Sequence, residues 1–111
     1  MLDTRLLIIE LRRRDALAIA RIISREGDQQ EFERQYRVIS GRMNELPLAD
    51  GLKAHLALRT DSGIQIINVW DSEDHANAAM ERPEFQEAMR EAGVSRDDMQ
   101  PKQVEVLNVR T

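Results

Sequence analysis

Between residues 52 and 59 the chain alternates Leu52, Ala54, Leu56 and Leu58 with Lys53, His55, Ala57 and Arg59. That is the period of two that sends successive side chains to opposite faces of a β-strand. Asp61-Ser62-Gly63 follows as a three-residue connection, with Gly63 suited to the left-handed end of a type I turn. The next strand, Ile64 to Trp70, must run back antiparallel. With Thr60 opposite Ile64, Leu56 faces Asn68 and Ala54 faces Trp70. This second strand stops at Asp71-Ser72, either of which caps a helix, and Glu73 and Asp74 place negative charge in the first turn, where the helix dipole favours it. A hairpin running straight into a helix restricts the fold to those that supply partners for this unit.

The rest of the chain supplies them. Ala16 to Ser24 is almost continuously apolar and rich in Ile, as in a largely buried strand, and it stops before Gly27. Asp28 stands three residues before Glu31, the spacing of a capping box. Phe32, Tyr36, Ile39, Met43 and Leu46 then recur every three or four residues along one helical stripe, and Pro47 helps to end it. Pro83 belongs at the first position of a second helical piece carrying Phe85, Ala88, Met89 and Ala92 inward, closed by Gly93. Val104 to Arg110 alternates as a last strand.

The order is β-α-β-β-α-β, an α+β, ferredoxin-like antiparallel sheet with helices on one face. Residues 16–111 form one such domain. Residues 1–15 form an N-terminal extension in which Arg5 to Leu11 is an extra strand or a short surface helix, and Arg12-Arg13-Arg14-Asp15 is a turn.

A net charge of −4 with both signs interspersed gives no footprint for nucleic acid or an anionic membrane. The chain has no cysteine, which removes disulfides, thiolate catalysis and cysteine-ligated metal. His55 and His75 lie on separate elements, and the carboxylates show no ligand spacing, so no metal is expected. No phosphate-binding glycine loop, dinucleotide fingerprint or nucleophile elbow is present. Without an apolar run long enough to span a bilayer or serve as a secretory signal, the expected location is cytoplasmic.

Under this register Asn68 and Trp70 point beneath the helices. With Tyr36 and Met89 above them, and His75 at the edge, they line a small, mostly apolar pocket. The competing reading makes Trp70, Tyr36 and Met89 ordinary core and His75 an exposed residue. The opposite face carries His55, Ala57, Ile67 and Val69. An apolar sheet face of that size is covered most simply by a second copy, giving a homodimer.

The run N-V-W-D-S-E-D-H at residues 68–75, followed by R-P-E-F-Q-E-A-M at 82–89, resembles the antibiotic biosynthesis monooxygenase superfamily of dimeric α/β barrels. The resemblance spans residues 16–110. It implies a dimeric barrel and, for an enzyme, cofactor-independent monooxygenation of a small aromatic or quinol-like substrate. It also matches Trp70 to a pocket tryptophan of the haem-degrading branch. Met89 occupies that branch's histidine position, so histidine-ligated haem is not expected. Two function classes follow: an oxygenase with a polar group such as Tyr36, Asn68 or His75 managing a proton, or a non-catalytic dimeric ligand-binding or interaction domain.

Overall fold

The computed structural model describes residues 18–110. Its elements are β1 (Ile19–Glu26), α1 (Gln29–Met43), β2 (Leu52–Arg59), β3 (Gly63–Trp70), α2 (Glu73–Met80), α3 (Pro83–Ala92), a 3-10 turn at Arg96–Met99 and β4 (Lys102–Glu105). The four strands form one antiparallel sheet in the order β2-β3-β1-β4. Side chains of α1 and α2 meet one face of it, through Tyr36 on His55, Glu33 on Arg59 and Asn77 on Arg21. This is the ferredoxin-like α+β arrangement.

Local chemistry sets the helix ends. The Asp28 carboxylate accepts the Glu31 amide at 3.1 Å and starts α1. Glu31 does not complete a reciprocal box; its carboxylate binds Arg34 instead. Ser72 caps α2, Pro83 opens α3 at its first turn, and Gly93 ends α3 with φ 77°. β4 lies earlier than the alternation at 104–110 implies, because Lys102 to Glu105 pairs with Ile22 to Ile19 and the amide of Val106 already reaches the Ala18 carbonyl.

Gly63 has a different role from the one its place after Asp61-Ser62 suggests. It is the first residue of β3, paired with Glu26, and its φ is not left-handed. A Cβ there would sit 1.8 Å from the Arg25 carbonyl oxygen, so glycine is required by the close approach of β1. Gln29, at the start of α1, donates from its amide nitrogen to the Thr60 and Gly63 carbonyls and ties the hairpin end to the helix.

The larger correction concerns register. Arg59, not Thr60, lies opposite Ile64, and the ladder shifts by one between Leu52 and Ala54. Lys53 is the extra residue of a β-bulge, so Leu52 opposes Trp70 while Ala54 opposes Val69. The apparent apolar face at 52, 54, 56 and 58 is therefore split. Leu52 stays beneath the helices, and Ala54, Leu56 and Leu58 turn outward. His55 and Ala57, expected on the outer face, share the helix-facing side with Asn68 and Ile66, because a one-residue slip exchanges the two faces of a strand. Ile67 and Val69 stand on the outer face beside Leu56 and Leu58, which are 52% and 41% exposed.

The core is in two parts. Ile23, Met89, Ala92, Val94 and Met99 form one buried cluster, with Val38, Ile39, Ile66 and Phe85 against it. Ile19, Trp70 and Ala76 form the other, with Ala49, Leu52 and Ala79. Helix α1 crosses the sheet without burying any residue completely. Charged pairs lace its flank, Glu33 to Arg59 of β2 and Arg42 to Glu91 of α3; being exposed, they steer geometry more than they stabilise it.

Candidate functional site

What separates the two apolar clusters is a line of polar side chains crossing the sheet. The registers place His55 of β2 opposite Asn68 of β3, Asn68 opposite Arg21 of β1, and Arg21 opposite Gln103 of β4. Each of the four strands thus contributes one polar residue at the same level of the helix-facing side. Apolar levels flank the row, Ile19 and Trp70 on one side and Ile23, Ile66 and Ala57 on the other. No member of the row is fully buried: Arg21 and Asn68 are half-buried, and His55 and Gln103 are exposed. Here they bond along the row: His55 Nδ1 to Asn68 Oδ1 at 2.5 Å, and Arg21 Nε to Gln103 Oε1 at 3.0 Å. The helices complete it, with Tyr36 OH 2.9 Å from His55 Nε2 and Asn77 Oδ1 accepting from Arg21 Nη2 at 2.7 Å.

The hairpin turn makes this possible: Arg59 rather than Thr60 opposes Ile64, which turns His55 towards the helices, and the bulge at Lys53 then brings Leu52 back to the same side. The His55 imidazole is held at both nitrogens and lies nearly parallel to the Tyr36 ring, 8° between planes and 5.9 Å between centroids. With Asn68 Oδ1 accepting, Nδ1 carries the proton and Nε2 is left to accept from the Tyr36 hydroxyl. Asn68 therefore selects the tautomer whose basic nitrogen faces Tyr36. His55 is also exposed to solvent, and a proton can pass between Tyr36 and His55 without any side chain moving far.

The five residues expected to line one pocket divide among four places. Tyr36 and Asn68 do come together, through His55 rather than directly. Trp70 and Met89, 7% and 6% exposed, fill separate clusters of the core. His75 is fixed in the first turn of α2: Ser72 Oγ lies 2.7 Å from its Nδ1, and the ring packs so closely on Gly51 that a Cβ there would fall 2.4 Å from its Cγ. It lines a separate cleft of about 530 Å³ with Asp50, Asp74, Ala78, Ala79 and Arg82. Another cleft, of about 460 Å³, opens over the β1–β4 edge and has Arg21, Asn77, Met80, Met99, Pro101 and Gln103 in its walls. Among the described residues no group of three or more His, Asp or Glu side chains is placed to hold a metal ion, and no helix is long and apolar enough to cross a membrane.

Sequence reasoning missed Arg21, Gln103 and the true face of His55. Arg21 carried a signal, since it interrupts the apolar stretch Ala16 to Ile23 where a core strand has no use for a guanidinium.

The architecture has close counterparts among solved structures. A conserved protein from Methanosarcina mazei Go1 matches with a TM-score of 0.61 at 11% identity, over 86% of this chain and 96% of that one. A presumed antibiotic biosynthesis monooxygenase from Chloroflexus aurantiacus J-10-fl matches with a TM-score of 0.60 at 12% identity, over 86% and 96%. The chain shares the α+β fold of these two proteins. A variant of SnoaB, a cofactor-independent oxygenase from Streptomyces nogalater, shares that fold with a TM-score of 0.50 at 19% identity, over 86% and 94%. No family model and no curated protein matches the sequence. At these identities the fold is common ground, while the His55-Asn68-Arg21-Gln103 row is read from this chain alone.

Proposed function

We propose that this protein is a monooxygenase-like enzyme that oxidises a small aromatic, quinol-like substrate with molecular oxygen, and that His55 is its proton acceptor. The observation that carries the reading is His55 clamped between Tyr36 and Asn68, open to solvent, on a scaffold that a cofactor-independent oxygenase also uses. An electron-rich phenol with an acidic ring CH₂ loses a proton to Nε2, directly or through Tyr36, and the carbanion adds oxygen. The resulting peroxide takes the proton back. It then breaks its O–O bond and the remaining C–H bond, giving a carbonyl and one water, so one oxygen atom enters the product and the substrate supplies all the electrons. Holding the base in one tautomer contributes orientation, and general-base catalysis of this kind is worth roughly 10²–10⁴-fold.

A second reading, a non-catalytic binding domain, draws on the burial of Trp70 and Met89 in the core instead of in a cavity wall. Oxygen uptake with a panel of hydroquinones and anthrones separates the two. The enzyme reading expects uptake equimolar with substrate, reduced at least about 100-fold in His55→Phe. Saturable binding of the same compounds without uptake would favour the second.

We also infer that two copies associate through their outer sheet faces. Leu56 and Leu58 are exposed there beside Ile67 and Val69, and Val104 is exposed on the same face beyond β1, apolar surface that a twofold pairing would cover with itself.

A further inference from the structure

Arg21 is not needed by the reaction just proposed, yet the structure goes to some length to hold it. Its Nε donates to Gln103 Oε1 and its Nη2 to Asn77 Oδ1, both neutral amides. Among the described residues it has no ion pair, whereas Arg59, Arg42 and Arg96 each pair with a glutamate. A guanidinium has five N–H donors. Two are used, which leaves three, on Nη1 and Nη2, enough for a bidentate bond to a carboxylate, the pairing that suits its planar fork.

These free donors lie at a cleft of about 460 Å³, within the range of roughly 300–1,000 Å³ common for small-molecule sites. Met80, Met99 and Pro101 give it apolar walls. The other charged groups around it are Glu81, Arg96 and Asp97. Glu81 is already neutralised by Arg96, and Asp97 sits on the exposed 3-10 turn at the rim. Two amides orient the cation without discharging it, a choice that makes little sense for stability, since Asp or Glu at position 77 or 103 would pair with it outright.

We infer that Arg21 is the anion-binding residue of a small-molecule site over the β1–β4 edge, and that its ligand is a monocarboxylate with an apolar or aromatic body. The carboxylate bonds to Nη1 and Nη2, and the body lies against Met80, Met99 and Pro101. The site is independent of whether His55 catalyses anything.

The test is binding of 1-naphthoate by titration calorimetry, with 1-naphthamide as the neutral isostere. Asn77→Asp is the decisive variant, because it keeps Arg21, the shape and the hydrogen bond while supplying an internal counter-ion. The inference expects saturable naphthoate binding that weakens with added salt, at least tenfold weaker binding in both Asn77→Asp and Arg21→Gln, and at least tenfold discrimination against naphthamide. Unchanged affinity in Asn77→Asp, equal binding of naphthamide, or no binding of naphthoate to the wild type at millimolar concentration would each overturn it. Loss of oxygen uptake in His55→Phe with naphthoate binding intact would show that the two sites are separate.

Discussion

Trp70→Ala is the sharpest perturbation of the packing. The indole is 7% exposed and lies among Ile19, Ala76, Ala49, Leu52 and Ala79. A tryptophan buries on the order of 150–250 Å², and at ~25 cal/mol per Å² the area lost on truncation corresponds to several kcal/mol. Its neighbours include three alanines, which have little side chain to collapse into the space, so the cavity remains and the loss should reach about 3–5 kcal/mol. For a domain whose whole stability is of order 5–15 kcal/mol, that removes a large share. Urea unfolding followed by far-ultraviolet circular dichroism measures it; tryptophan fluorescence cannot, since Trp70 is the only one. A loss below about 1 kcal/mol would refute the core assignment, because it would mean that the ring leaves no cavity behind.

Other consequences follow from the same structure. Gly63→Ala should cost at least about 3 kcal/mol, the upper part of the range for forced overpacking, since its Cβ meets the Arg25 carbonyl; Gly41→Ala, in the last turn of α1 with nothing within 4 Å, should gain up to about 0.5–1 kcal/mol. Both are read by urea midpoints. Leu56→Asp and Val69→Asp should dissociate or aggregate the proposed pair of copies, read by sedimentation at micromolar concentration, whereas Glu87→Lys should leave it intact; a monomeric wild type would sink the dimer. The carboxyls of Glu31, Glu33 and Glu91 are held below their usual 4.5 chiefly by hydrogen bonds from Arg34, Arg59 and Arg42, and Asp98 below 3.8 by the Ser95 amide. Because these folded-state values are depressed, their contribution is present above the unfolded values and is lost as pH falls through the folded ones. The unfolding midpoint should therefore be flat near neutrality and drop below pH 4.5, less steeply at high salt.

The elements were legible in the sequence because their signals are local. Asp28, Ser72, Pro83 and Gly93 mark helix ends by their own chemistry, and the alternation at 52–58 identifies a strand whichever way it pairs. Register is a relation between two strands, and the bulge at Lys53 leaves no mark in a pattern of leucines and alanines. A second slip, at the turn, where Arg59 instead of Thr60 opposes Ile64, moved His55 from an expected dimer face to the centre of the candidate site. It also sent Leu56 and Leu58 outward. Met89 and Trp70 could be assigned to the helix side from periodicity, but not to two separate clusters, since their separation depends on Arg21 and Asn68 crossing the floor between them. The strand or helix expected at Arg5 to Leu11, and the Arg12 to Asp15 turn, lie outside the described residues.

The central claim is that Asn68 and Tyr36 hold His55 in a single tautomer beneath α1, and long-range ¹H–¹⁵N correlation of the imidazole tests it most directly. In the neutral ring the structure requires the proton on Nδ1 and none on Nε2, with ring protons close to Tyr36, and loss of that single tautomer in Asn68→Ala. The opposite tautomer, or the averaged shifts of an imidazole that exchanges between tautomers and ignores Asn68, would contradict it.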